Sequence, residues 1–128
     1  MFDFKYYTPT KVIFGKNTEL KVAELIKEFG GTKILIHYGG GSVVRSGLLD
    51  RVKASLDAAG IAHIELGGVK PNPRSGLVYE GISLCKKEGV DFVLAVGGGS
   101  AIDSSKAIAA GVVYVFISNF ILFFSFLF

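Results

Sequence analysis

Two four-residue turns carry the residues most able to do chemistry in this chain. Both read Gly-Gly-Gly-Ser: Gly39-Gly40-Gly41-Ser42 and Gly97-Gly98-Gly99-Ser100. The second follows the apolar run Asp91-Phe92-Val93-Leu94-Ala95-Val96 and precedes a stretch with helical character from about Ala101 to Ala110. Glycines let a backbone approach a phosphate closely and adopt positive φ. A helix that begins just afterwards presents unbonded N–H groups and the positive end of its dipole to an anion. Ser100 can cap that helix or bond a phosphate oxygen. The spacing is neither GxGxxG nor GxxxxGK[ST], although Lys106 follows on the helix. The chemistry expected is therefore phosphate binding, against the simpler alternative of a tight strand-to-helix turn.

The first turn follows the strand-like run Lys33-Ile34-Leu35-Ile36-His37-Tyr38. In a dinucleotide site this is where the adenosine end would lie, and an acidic residue normally takes its ribose hydroxyls. None occurs between Lys33 and Leu49, and Arg45 is nearby. That pattern favours the 2′-phosphate of NADP over NAD; a plain loop is the competing reading. Asp103, one turn into the second helix, either faces a ligand or favours the helix N-terminus through its charge. Neither His37 nor His63 has a second histidine at helical spacing, so metal binding is not expected of them. Cys85 reads as a small core residue. No Ser/His/Asp or Cys/His set is visible, and no catalytic or metal-ligating residue is assigned.

The elements that must hold these turns alternate. Phe4-Lys5-Tyr6-Tyr7 and Lys11-Val12-Ile13-Phe14, around Thr8-Pro9-Thr10, predict a β-hairpin. Asn17 or Thr18 can cap a helix with a stripe of Leu20, Ala23, Leu25, Ile26 and Phe29, stopped by Gly30-Gly31. The strand into Gly39 comes next, then a helix around Gly47–Ala59. A strand at residues 61–66 and a loop through Pro71-Asn72-Pro73 lead to a helix over Ser75–Glu88, with Val78, Ile82 and Cys85 inward. The core strands are continuous apolar runs, which implies a parallel sheet covered on both faces. The expected class is α/β, Rossmann-like, with helices on both faces and an N-terminal hairpin. Both glycine turns fall at carboxyl ends of strands, where such sheets bind ligands.

Composition bounds the rest. The chain has 128 residues, about one domain, and 50% of them are hydrophobic. A net charge of +3 with no basic cluster among aromatics does not call for nucleic acid. A single cysteine forbids an internal disulfide and fits a reducing cytoplasm. No secretory signal is expected from the first residues. From Ala107 to Phe128 no residue is charged, and Phe, Ile, Leu and Val dominate the end. Three readings stand for residues 112–128: a truncated or frame-shifted end, a membrane-associating segment, or an element packed in the fold or an oligomer. As a helix this segment would span about 25 Å, at the short limit for a bilayer core, and it contains Asn119.

Taken in order, Tyr7-Pro9-Thr10-Lys11-Val12-Ile13-Phe14-Gly15, Tyr38-Gly39-Gly40-Gly41-Ser42, Pro71-Asn72-Pro73 and Val96-Gly97-Gly98-Gly99-Ser100-Ala101-Ile102-Asp103-Ser104-Ser105-Lys106 form a pattern. It resembles the iron-containing alcohol dehydrogenase family, in its butanol-dehydrogenase-like branch, over residues 1–111. The resemblance implies an NAD(P)-binding domain at 1–111, with 112–128 an apolar tail outside the family's pattern. By position, Gly97, Gly98, Gly99 and Ser100 would bind the pyrophosphate. Gly39, Gly40, Gly41 and Ser42 would surround the adenosine ribose, Asn72 would contact the adenine-side ribose region, and Asp103 would lie near the nicotinamide. The family reduces aldehydes or oxidises small alcohols with NAD(P)H, and a homodimer is implied. Its metal, Fe2+ or Zn2+, is held by one aspartate and three histidines of a C-terminal helical domain that has no counterpart here. This chain alone is expected to be inactive. The alternative is a non-catalytic nucleotide-binding module with a membrane-associating tail.

Overall fold

The computed structural model describes residues 13, 15–70, 75–115 and 121–125. Strand β1 (Lys33–Tyr38), β2 (Ala62–Leu66), β3 (Phe92–Val96) and β4 (Ile121–Ser125) form one sheet in the order β2-β1-β3-β4. Every pairing is parallel, with Ile34 opposite both His63 and Phe92, and Tyr38 opposite Val96. The α/β class read from the alternation is therefore the observed one. The predicted hairpin, at residues 4–7 and 11–14, lies outside the described residues except for Ile13, and so do Pro71, Asn72 and Pro73.

Strand period two sorts the core into halves. Ile34, Ile36, Phe92, Leu94 and Val96 point to one face. There they meet α1 (Val22–Glu28), α2 (Gly41–Arg45) and α3 (Leu48–Ala58) through Val22, Ile26, Val43, Leu49, Val52 and Leu56. Leu35 and Val93 point to the other face. They meet α4 (Ser75–Glu88) and α5 (Gly99–Val115) through Cys85, Ile108, Ala109 and Val112. Helices thus cover both faces, as continuous apolar strands require.

Three expectations shift. A 3₁₀ turn at Thr18–Lys21 precedes α1, entered through Asn17 at φ 60° without a side-chain cap; it takes Leu20 off the buried stripe, leaving it 56% exposed. The turn after β1 is not a plain loop, because Gly41–Arg45 coils into a short helix before Gly47, at φ 77°, starts α3. Helix α5 continues past Ala110 to Val115. Gly111 does not stop it, because it is a contact point: a Cβ there would run into the side chain of Ile82 on α4. Within the run 112–128, the backbone thus extends α5 and then adds β4 beside β3.

Candidate nucleotide site

The strand order reverses between β1 and β3. The chain leaves β1 toward β2 on one side and returns to β3 on the other. In open parallel sheets the crevice beyond the carboxyl ends at such a switch point is where ligands bind. Both glycine turns emerge there. Register sets Tyr38 beside Val96, so Gly39 and Gly97 are the next residues of neighbouring strands. They are close enough that a Cβ on Gly97 would lie 3.8 Å from the Gly39 backbone nitrogen and 3.6 Å from Val43.

The glycines of these turns differ in why they must be glycine. Gly97 has φ 133°, a conformation that L side chains rarely adopt. Gly98 and Gly99 have no positive φ, and a Cβ on either would meet nothing within 4 Å; Gly40 is the same. Among the described glycines, only Gly76 shares that combination. So neither backbone strain nor internal packing calls for glycine at 40, 98 or 99. A ligand approaching the backbone would fill the space a Cβ takes, which is the fit a pyrophosphate needs. Gly39 sits 3.7 Å, in Cβ terms, from the Val69 carbonyl. Gly41 is covered from outside, because a Cβ there would run into the Arg45 guanidinium.

Helix α5 begins at Gly99, and its first backbone bond out of the turn runs from the Ile102 N–H to the Gly98 carbonyl, at 3.2 Å. The N–H groups before Ile102 have no helical acceptor. Ser100 is half-buried at this end, and Asp103 is exposed in the next turn. The structure thus brings Gly39, Gly40, Gly41 and Ser42 together with Gly97, Gly98, Gly99 and Ser100, and it sets Asp103 one turn behind.

Sequence reasoning missed the partner of His37. This imidazole is fully buried, with Nδ1 2.7 Å from the Leu66 carbonyl and Nε2 2.7 Å from Ser104 Oγ. A carbonyl only accepts, so Nδ1 carries the proton and Nε2 accepts from the Ser104 hydroxyl. Burial pushes the His37 pKa below its ordinary value, and the bond to Leu66 offsets part of that. The signal lay in the sequence only as a histidine in a strand too apolar to leave it unbonded.

The residues present do not fit the family's metal. The chain contains two histidines. Both His37 nitrogens are engaged, and His63 Nε2 pairs with Asp57 Oδ1, near the C-terminal end of α3, at 2.7 Å. Among the described residues no group of three or more His, Cys, Asp or Glu could hold a metal ion. Burial raises the Cys85 thiol to about 12, which leaves it protonated and unreactive.

A model of the family described as iron-containing alcohol dehydrogenase matches residues 9–123. The chain belongs to the iron-containing alcohol dehydrogenase family. It is 54% identical over 114 residues to NADH-dependent butanol dehydrogenase A of Clostridium acetobutylicum, covering 89% of this chain and 29% of that protein. To the NADPH-dependent aldehyde reductase YqhD of Escherichia coli it is 40% identical, covering 89% and 28%. The crystal structure of NADH-dependent butanol dehydrogenase A from Thermotoga maritima superposes with a TM-score of 0.82 at 48% identity, over 88% of this chain and 28% of that one. The chain therefore spans less than a third of the length of these family members. Among the described residues no helix is long and apolar enough to cross a membrane.

Proposed function

We propose that this chain is the nucleotide-binding part of an NAD(P)H-dependent alcohol or aldehyde oxidoreductase and binds the dinucleotide at the β1/β3 switch point. One observation carries the reading: the two glycine turns converge there, with Gly40, Gly98 and Gly99 open where neither strain nor packing calls for glycine. The free N–H groups of α5 receive the pyrophosphate, with Ser100 at their side. Gly39, Gly40, Gly41 and Ser42 flank the adenosine ribose, where Asn72 joins them, and Asp103 lies toward the nicotinamide. The bound nicotinamide supplies or accepts a hydride. This unit takes in residues 1–111 and extends beyond them, because α5 runs on to Val115 and β4 joins the sheet beside β3. The whole enzyme acts on a small alcohol or aldehyde with Fe2+ or Zn2+, as a cytoplasmic homodimer.

The chain alone binds nucleotide and does not turn over, because it cannot supply three histidine ligands from two. NADP is favoured over NAD by the Arg45 guanidinium lying over Gly41 and by the absence of a carboxylate between Lys33 and Leu49. Relatives at 54% and 50% identity carry NADH in their names, so the ratio of the two affinities decides. Titration of the purified chain with NADH and NADPH, followed by nicotinamide fluorescence, should saturate. A folded chain that binds neither overturns the reading, and butanol oxidation by the chain with added Fe2+ or Zn2+ overturns its inactivity.

A further inference from the structure

One buried imidazole joins the three segments that surround the switch point. His37 lies two residues before Gly39, at the end of β1. Its Nδ1–H donates to the carbonyl of Leu66, the last residue of β2 and the one before the Gly67-Gly68 loop. Its Nε2 accepts from Ser104, five residues into α5 from Gly99, or about 7.5 Å along the helix axis. Of the other buried residues on α5, Ala101, Ile108, Ala109 and Val112 are apolar, and the buried hydroxyl of Ser105 has no hydrogen-bond partner among the described residues. Apolar contacts are non-directional and fix depth better than rotation or slide. The two 2.7 Å bonds of His37 are directional, and their partners lie on two different elements.

We propose that His37 is a positioning residue for the nucleotide site, holding α5 in register with the carboxyl ends of β1 and β2 so that its first-turn N–H groups converge with the Gly39–Ser42 turn. This rests on the nucleotide-binding reading above. The imidazole works as a neutral bracket with one tautomer. A proton on Nε2 would turn the acceptor for Ser104 into a donor and place a charge in the core, where burial opposes it. Among the described residues no nearby charge offsets that. Glu65 of β2 is taken by Lys53 at 2.7 Å, Asp103 and Lys106 of α5 are exposed, Cys85 of α4 is a neutral thiol, and Ala95 is the register partner on β3.

The test uses the full chain, its Ser104→Ala variant and the hydroxyl-retaining Ser104→Thr variant, each titrated with NADH and NADPH. Ser104→Ala should weaken binding about tenfold, equivalent to 1.4 kcal/mol, at a temperature where it is folded, and Ser104→Thr should recover most of the loss. A purely structural serine would lower the melting temperature of Ser104→Ala and leave its dissociation constants unchanged, which overturns the proposal. Imidazole 15N spectra of the wild type should show the uncharged Nδ1–H tautomer at pH 7; an Nε2–H or charged ring at pH 7 overturns it whether or not the variants fold. If the wild type binds neither nucleotide, the nucleotide-binding reading fails and takes the positioning role with it. If the wild type binds and Ser104→Ala binds equally well, the positioning role alone fails.

Discussion

The same four residues, Gly-Gly-Gly-Ser, leave β1 and β3 side by side and become different structures. After β1 the chain makes a helix of five residues, Gly41–Arg45, that ends at Ser46 and Gly47. After β3 it makes one of seventeen, Gly99–Val115. Downstream sequence decides this. Gly47 at φ 77° breaks the first helix, whereas Ala101, Ala107, Ala109 and Ala110 favour the second. The helix after β3 is long and seated on β1 and β3, so its N-terminal N–H groups are held in place. The turn after β1 is open at Gly40 but roofed by Arg45 over Gly41, whereas the turn after β3 is open at both Gly98 and Gly99. One sequence thus yields an open helix N-terminus held in place and, beside it, a cationic wall.

Methyl groups added to the open turn should separate the two turns most strongly. Gly98→Ala with Gly99→Ala fills space that touches nothing in the protein and needs no positive φ. Stability should stay within about 1 kcal/mol of the wild type. Binding of NADH and NADPH should fall about 100-fold or more, because the added groups occupy the path of the pyrophosphate. Thermal melting alongside fluorescence titration checks both halves. Unchanged binding would reduce Gly98 and Gly99 to ordinary turn residues.

Gly97 reverses that pattern. Its φ of 133° is set by the sharp exit from β3, and a Cβ would also touch Ala101 and Val43 at 3.6 Å. Gly97→Ala should therefore cost stability, about 1–3 kcal/mol, before any ligand is added. Denaturant unfolding measures it. A variant as stable as the wild type would show that the backbone relaxes there and that strain does not separate Gly97 from its two neighbours.

How far the sequence could be read follows the range of the forces. Alternating apolar runs and glycine stops marked β1, β2, β3 and their helices, because those signals are local. The ends of α5 and the coil at Gly41–Arg45 were not legible, since Gly111 and Gly41 look alike until a neighbour is present: Ile82 against one, Arg45 over the other. The apolar run 112–128 carries no period, so nothing local told of β4. Asp91 is a similar case. Its carboxylate accepts from the N–H groups of Thr32 and Lys33, each at 2.9 Å, and so pins the start of β1 to the start of β3. Burial pushes its pKa up, but the bond from the Thr32 hydroxyl, together with these N–H bonds, outweighs burial and holds it below its ordinary value. The candidate site was legible in its glycines, which lie within single turns. It was not legible in the His37–Ser104 bond, which spans 67 residues.

The cationic wall gives the smallest effect. Arg45 is exposed, so its attraction for a 2′-phosphate is screened by water and salt, and exposed charge pairs contribute about 0.2–1 kcal/mol. Arg45→Ala should weaken NADPH binding no more than about fivefold and leave NADH binding unchanged, and added salt should shrink the difference. Parallel titrations at low and moderate ionic strength measure it. Equal loss for both nucleotides would make Arg45 a general phosphate or packing contact. Tighter binding of NADH than NADPH by the wild type would assign the missing carboxylate a different meaning: the ribose hydroxyls would then be held by backbone groups of the Gly39–Ser42 turn, and the two turns would differ in helix length but not in the charge they are built to receive.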